Sequence, residues 1–339
     1  MKKHLPGGVA LSLLAACSGG GGGGNTGGSG GTGSVTPTPT PTATASPTPT
    51  PSPSPTPTPS YPLFSALTGD QSYASACTGT SPATDRAGTL TTTAFYYRGG
   101  GPISYAAATQ TYTVYSTTSA RNSFVPADRD NTAPANVIAF SKPSVNTPGT
   151  ERFQIIQPSA GGVPFDYSRT AFMDMSGGPG SGNVARSTNY CILGVPTLLT
   201  DIPAAPIVTF TRFAVGGEAQ DSTSGHLLVY TLTKSSTTMQ VDLTTGMISI
   251  SLHLIGTNGG TDKDFGTFSS TTNIDQSNAG FFGVGLIGGM PAPGVASLPY
   301  QGGFFGPQGK EFGYAFSKTE LDTSGRPALT IIGTVNGAR

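Results

Sequence analysis

Residues 302–316 read GGFFGPQGKEFGYAF, five glycines set among four phenylalanines and a tyrosine. Phe312, Tyr314 and Phe316 alternate with Glu311, Gly313 and Ala315. Side chains two apart share one face of a strand, so the rings fall on one side and the small residues on the other. Gly306-Pro307 ends one strand segment and Gly309 begins the return. A strand glycine lets a neighbouring ring or backbone come closer than a Cβ permits. The stretch predicts a strand packed tightly on both faces, its phenylalanines in a core rather than around a cofactor.

Working outward, residues 241–252 (VDLTTGMISISL) predict a hairpin. Ile248, Ile250, Leu252 and Leu254 point one way, while Ser249, Ser251 and His253 point the other. Gly246 supplies the positive φ of the turn. Strands are expected at 208–215, 227–234, 239–243, 247–254, 264–270, 280–287, 311–318 and 329–335. Eight strands in roughly 130 residues suit a small antiparallel barrel, which leaves no open sheet edge. Upstream, 91–97, 111–115, 136–140, 152–156 and 167–175 read as strands, and 63–71 as a short helix. Three prolines within 194–206 mark a joint.

These motifs resemble those of the transferrin-binding protein B family. The family's barrel signature, G-x-F-[FY]-G-P-x-A-x-E-[hydrophobic]-G-G-x-F, is matched by Gly302, Phe304, Phe305, Gly306, Pro307, Glu311, Gly313 and Phe316. Gly309 stands at its small Ala, and Tyr314 replaces its second Gly. Residues 241–252 are similar to the family's V-[ND]-F-G-T-G-x-[VI]-x-G-x-[LI], with Leu243 for the Phe and Thr244 for the first Gly. Residues 103–116 (ISYAAATQTYTVYS) look like the opening of the barrel's partner domain, the handle, in single-lobe relatives.

The resemblance implies a mostly β fold. A handle-like β domain over 61–205 precedes a small eight-stranded antiparallel β-barrel over 206–339, and the signature residues are structural. It also implies a surface lipoprotein that captures a ligand, an iron carrier or a haem protein, and presents it to a TonB-dependent receptor of the outer membrane. The family's ligand contacts lie outside the barrel signature, so no ligand-binding residue carries over to this chain.

The chain opens MKKHLPGGVALSLLAA, a basic start followed by an apolar run. That run falls well below the roughly 20 residues a membrane-spanning helix needs, and 1–16 reads as a signal peptide. Leu14-Ala15-Ala16-Cys17 resembles the bacterial lipobox, which implies acylation of Cys17 and cleavage before it. An ordinary signal peptide with an incidental Cys is the other reading. Several acyl chains on one sulfur would hold the protein firmly at a membrane. Ser18 rather than Asp follows the Cys, which by resemblance to bacterial lipoproteins favours the outer membrane. Residues 18–34 are nearly all Gly, Ser, Thr and Asn, and 35–60 alternate Pro with Thr or Ser. Neither part can bury a core, so 17–60 is expected to be a disordered tether. Polyproline II at about 3.1 Å per residue would let its Pro-Thr part reach on the order of 70 Å.

Without Lys2 and Lys3 the chain carries 15 basic and 17 acidic residues, a net of −2. No basic patch points to nucleic acid. After Cys17 only Cys77 and Cys191 remain. An exported chain meets an oxidising compartment, where the two form a disulfide or stay as separately buried thiols.

Signs of chemistry are few, and no cofactor or metal is expected. His226 and His253 both fall in expected strands, without the neighbouring His, Cys or carboxylates of a zinc site. The G-x-S-x-G pattern falls at 27–31, inside the tether, so it forms no nucleophile elbow. SGGPGSG at 176–182 lacks the lysine of a phosphate loop and reads as a surface loop. Asp262 and Asp264 read as a polar turn rather than a Ca²⁺ site. A transmembrane barrel is disfavoured: the sequence ends Asn336-Gly337-Ala338-Arg339 rather than on an aromatic, and Lys234, Glu311 and Lys318 would interrupt its apolar outer band. The expectation is a lipid-anchored binding protein without catalysis; a structural or adhesive envelope lipoprotein is the alternative.

Overall fold

A computed structural model describes residues 59–82, 90–98, 102–115, 121–144, 149–176, 186–202, 206–287 and 297–339. The signal-like leader, Cys17, the tether as far as 58, and 177–182 of the glycine-rich loop lie outside these residues. Strand dominates, as the abundance of Thr, Val, Ile, Tyr and Phe leads one to expect. Among the described residues the helical turns are four short 3-10 turns, at Phe64–Ala66, Pro126–Asp128, Leu199–Asp201 and Pro307–Gly309. The helix expected over 63–71 is therefore corrected to a single turn. Gly69 takes a φ of 72°, and Gln71 already pairs in a sheet.

Among the described residues thirteen strands precede the joint. They are β1 (Gln71–Ser72), β2 (Ala74–Pro82), β3 (Leu90–Phe95), β4 (Ile103–Ala106), β5 (Thr111–Tyr115), β6 (Arg121–Phe124) and β7 (Arg129–Asp130). There follow β8 (Val137–Pro143), β9 (Thr150–Ile156), β10 (Ser159–Ala160), β11 (Val163–Pro164), β12 (Ser168–Ser176) and β13 (Arg186–Gly194). Seven make one antiparallel sheet in the order β3-β2-β13-β12-β9-β8-β7, and four make another, β1-β4-β5-β6. Ile103, Val114 and Phe124 of the smaller sheet share a core with Phe140, Phe153 and Met173 of the larger. The rings of Phe124 and Phe153 stack 5.5 Å apart. Central strands β2 and β13 escape sequence reading because both their faces are covered. They are built largely of small and polar residues and show no apolar alternation.

After the joint come β14 (Ile207–Phe210), β15 (Arg212–Asp221), β16 (Leu228–Thr231), β17 (Ser236–Asp242) and β18 (Met247–Asn258). The last five are β19 (Thr261–Asn273), β20 (Gly280–Ile287), β21 (Ser297–Phe305), β22 (Glu311–Leu321) and β23 (Pro327–Ala338). Strands β14 and β15 form one stave interrupted at Thr211, and β16 and β17 form the next. Each of the eight staves is antiparallel to its neighbour, and β23 closes the ring on β15 from Arg212↔Ala338 to Asp221↔Leu329. This part is an up-and-down barrel. The count of eight agrees with the sequence, but its members differ. Segments 227–234 and 239–243 belong to a single stave, and Ser297–Phe305 supplies a stave with no counterpart among the eight expected. The expected hairpin is present, with Asp242 opposite Met247 and Gly246 at φ 74°.

The barrel interior is filled by side chains. Ile248, Ile250, Leu252 and Leu254 point in, joined by Phe304, Phe312, Tyr314 and Phe316. Glycines across the strands make room for these rings: Gly337 lies opposite Phe312 and Gly333 opposite Phe316. A Cβ on Gly337 would stand 2.1 Å from the Phe312 ring. The outer wall of β17, β18 and β19 presents Thr238, Ser251, Ser269, Ser249 and Thr271. Apolar inside and hydroxyl-bearing outside is the reverse of a lipid-facing barrel. Lys318 needs correction here. It lies on the inward face and is buried, with Nζ 2.5 Å from Glu320 Oε1 and 5.0 Å from the centre of the Phe268 ring. It does not interrupt the outer face.

Candidate functional site

The signature residues gather where the barrel wall meets the seven-stranded sheet. On β22 the inward residues are Phe312, Tyr314 and Phe316, so Glu311, Gly313 and Ala315 face outward, toward β12 and β13. Gly313 lies against Ile192, and a Cβ there would stand 3.1 Å from its side chain. Gly303 lies under the Tyr97 ring, where a Cβ would come within 2.3 Å. Gly306, at φ 73°, lies under Tyr167. Phe305 inserts into a small separate core with Ala76, Tyr97, Tyr167, Ile192 and Val195. The Tyr97 and Phe305 rings meet edge-on at 5.9 Å. Four of the five glycines are thus crowded by neighbours: Gly302 by Tyr314 on the facing strand, and Gly303, Gly306 and Gly313 by side chains of the preceding part of the chain.

Glu311 is the polar centre of this seam and is 1% exposed. Three successive backbone amides donate to its carboxylate: Asp166 N to Oε1 at 2.6 Å, Tyr167 N to Oε2 at 3.1 Å and Ser168 N to Oε2 at 2.8 Å. Ser168 Oγ donates a fourth bond at 2.8 Å. Consecutive amides converging on one anion form a nest, the backbone's way of solvating negative charge. Burial pushes the Glu311 carboxyl above its ordinary value, and the bonds from Asp166, Ser168 and Tyr167 oppose that rise. Arg169, next in sequence, donates to the carbonyls of Phe165 and Ser168 and lies over the Phe64 ring at 4.7 Å. Loss of water lowers the Arg169 guanidinium to about 10, against the pull of Glu311 and Asp166. Thr170 Oγ1 donates to Asn336 Oδ1 at 2.8 Å, Asn336 Nδ2 to Ser168 Oγ at 3.2 Å and Gln301 Nε2 to Cys77 O at 3.0 Å. Glu311 has no open face toward solvent, and its bonds join the start of β22 to the start of β12.

Cys77 and Cys191 face each other on β2 and β13, fully buried, and are joined by a disulfide that spans 114 residues. His226 lies in the loop between β15 and β16, a correction to its expected strand position. Ser224-Gly225 immediately before it, with Gly225 at φ 82°, favours a turn over extension. His253 is on β18, and its Nε2 lies 3.1 Å from Asp264 Oδ2. Asp262 binds Lys234 Nζ and accepts from Thr257 Oγ1, so the two aspartates are engaged separately. Among the described residues no three His, Cys, Asp or Glu side chains gather as a metal site. A further ion pair, Lys263 with Asp221, lies beside Lys318 and Glu320 toward one mouth of the barrel. Burial raises the Asp221 carboxyl, but hydrogen bonds from Lys263 and Thr223 outweigh it and leave it below its ordinary value. At the other mouth Ile202, from the joint, covers an apolar void of about 20 Å³ lined by Val208, Phe210 and Val241. An open groove of about 470 Å³ runs past Leu67, Tyr73, Arg98 and Pro196.

Sequence reading did not find Asp166–Ser168 or Tyr97, because a backbone nest and a ring lying on a distant glycine leave no local pattern. The alternation around Glu311 did signal that the residue faces away from the rings.

No protein-family model matches the chain, and no curated protein matches it. Among solved structures, the chain is similar to a transferrin-binding protein B double mutant from Haemophilus parasuis Hp5, at 13% identity and a TM-score of 0.42, over 78% of this chain and 44% of that one. It is also similar to transferrin-binding protein B from serogroup B Neisseria meningitidis, at 14% identity and a TM-score of 0.34, over 77% and 63%. The N-lobe domain of lactoferrin-binding protein B from Moraxella bovis aligns at 10% identity and a TM-score of 0.30, over 54% and 79%. The alignment spans less than half the length of the first of these proteins. The similarity is one of fold.

Proposed function

We propose that this chain is a lipid-anchored protein of the outer-membrane surface that captures a protein ligand on its exterior and performs no chemistry on it. The observation that carries this reading is the filled barrel. Phe304, Phe312, Tyr314 and Phe316 occupy the interior, so a captured molecule meets the outer surface and the loops. The lipobox-like Leu14–Cys17 run and the Pro-Thr tether support the anchor. Residues 61–205 and 206–339 serve as handle-like and barrel domains, divided at the Pro-containing joint. The ligand class, an iron or haem carrier, and the partner, a TonB-dependent receptor, are what the resemblance to the transferrin-binding protein B family implies.

The test is a pull-down from serum proteins and outer-membrane extract with the exported chain as bait. Retention of an iron carrier or haem protein together with a TonB-dependent receptor is the expected result. Failure to retain any of these, with gene deletion altering only cell adhesion, would replace capture with a structural or adhesive role.

A further inference from the structure

The dipeptide Asn-Gly occurs at 258–259 and again at 336–337, and the fold treats the two in opposite ways. Asn336 is buried in β23 and is ladder-paired on both sides, to Ala214 and to Gly313. Its carboxamide is held as well: Oδ1 accepts from Thr170 Oγ1, and Nδ2 donates to Ser168 Oγ. Gly337 lies against the Phe312 ring. Asn258 instead ends β18, at the mouth that carries Lys263. It pairs with Thr261, and the exposed Gly259 and Gly260, at φ 53° and 88°, form the turn between them. These angles are those of a type I′ turn, in which the closing pair makes the ladder bonds and the first central amide stays outside them. A Cβ built on Gly259 would meet nothing within 4 Å, so the space around its nitrogen is open. The Asn258 carboxamide donates from Nδ2 to Val229 O at 2.8 Å. That bond helps to hold the ring together, because among the described residues β16 meets β18 in the single ladder pair Thr231↔Thr257.

We propose that Asn258 is a site of spontaneous deamidation, and that its conversion loosens the hold of β18 on β16. The amide nitrogen of Gly259 attacks Asn258 Cγ, and the Cγ–Nδ2 bond breaks. Nδ2 leaves as ammonia, taking up the proton that Gly259 N gives up, and a five-membered succinimide remains. Water then adds at either ring carbonyl and opens the ring to aspartate or to isoaspartate. In sum, a carboxamide and water become a carboxylate and ammonium, with no other reactant. Glycine favours the step because no Cβ shields its nitrogen. At Asn336 the same atoms are fixed by the ladder, Thr170 and Ser168, so the carboxamide is kept from turning onto Gly337 N. At position 258 the product loses the Nδ2 donor and sets a carboxylate oxygen against Val229 O, two acceptors facing each other.

The experiment is storage of the folded full chain in mildly alkaline buffer, followed by tryptic digestion and mass spectrometry. Asn258 falls in the peptide 235–263 and Asn336 in 319–339, so the sites are read separately. The first peptide should gain the mass difference between a carboxamide and a carboxylic acid, split into aspartate and isoaspartate forms, while the second stays unchanged. In urea both should convert at similar rates, since without the fold the two dipeptides are equivalent. Asn258→Gln, too long to close a five-membered ring, should abolish the gain. In Asn258→Asp protein the amides of Leu228–Thr231 should exchange hydrogen severalfold faster than in wild type. No gain at 258 in the folded protein, equal gain at both sites there, or a preference for 258 that persists in urea overturns the proposal. So does wild-type exchange at Leu228–Thr231 in the Asn258→Asp variant.

Discussion

Ser168 donates two hydrogen bonds to Glu311, from its amide and from its hydroxyl, each 2.8 Å long, across 143 residues of sequence. With the amides of Asp166 and Tyr167 they make the carboxylate the main polar link between β22 and the start of β12. Removing the acceptor would strand buried donors that water cannot easily reach. Glu311→Ala is expected to cost roughly 3 kcal/mol or more, since each stranded buried donor costs about 1–3 kcal/mol. Glu311→Gln, which keeps one carbonyl oxygen but turns an N–H toward other donors, should fall between. Urea unfolding monitored by tyrosine fluorescence checks this, and a Glu311→Ala midpoint equal to wild type would refute it.

The same carboxyl has a distinct pH signature. Its folded-state value lies above the ordinary 4.5, so the folded state binds its proton more tightly than the unfolded chain does. Its contribution to stability therefore grows as pH falls from neutral toward 4.5 and is smallest at neutral pH and above. Asp221 and Asp275 are lowered below 3.8, so their contribution is present above that value and is lost as pH falls through their folded values. The stability difference between wild type and Glu311→Gln should widen between pH 7 and pH 4.5. A flat or narrowing difference in urea titrations across that range would contradict the assignment.

Tyr97 and Gly303 should be energetically coupled. A methyl at Gly303 would meet the Tyr97 ring at 2.3 Å. Gly303→Ala is expected to cost about 1–3 kcal/mol through overpacking. In a Tyr97→Ala background the same change should cost clearly less, a coupling of about 1 kcal/mol. A double-mutant cycle from urea denaturation measures it, and additive losses would show that the ring moves aside freely.

The Cys77–Cys191 bridge closes a long loop within a core, and both residues are fully buried. Replacing both by Ala should lower stability by roughly 4–5 kcal/mol on the chain-entropy model. Native protein should resist alkylation in mild reductant and react only once denatured. Mass spectrometry of a non-reduced digest should recover the crosslinked peptides; two free, alkylatable thiols in the native protein would refute the pairing.

Cys17→Ala should move the protein from the membrane pellet to the soluble fraction of cells. Persistence in the pellet after a high-salt wash would argue against an acyl anchor as the main attachment.

Much of the fold was legible because half-covered strands display their exposure in sequence. β18 alternates apolar and polar residues since one face meets the barrel core and the other meets water. The ring-and-small alternation of β22 announced two packed faces for the same reason. β2 and β13 gave weaker signals, since both faces of each are covered and small and polar residues interrupt their apolar positions; β21 carries Pro299 and paired glycines among its rings, which broke its pattern. The chemistry-bearing residues were legible as types but not as partners. His253 finds Asp264 eleven residues away across a hairpin, and Lys318, expected to interrupt an outer band, instead continues the inward alternation of Phe312, Tyr314 and Phe316.

The sequence by itself determined that the chain is β-rich and that residues 302–316 sit between two packed faces, because periodicity and side-chain volume are local properties. Only the tertiary structure decided what lies on the outer face: the Ile192 side chain, the Tyr97 ring and the amides of Asp166–Ser168 around Glu311. Those partners come from segments far away in sequence, and hydrogen bonds between backbone and side chain over such separations leave no periodic trace in either segment.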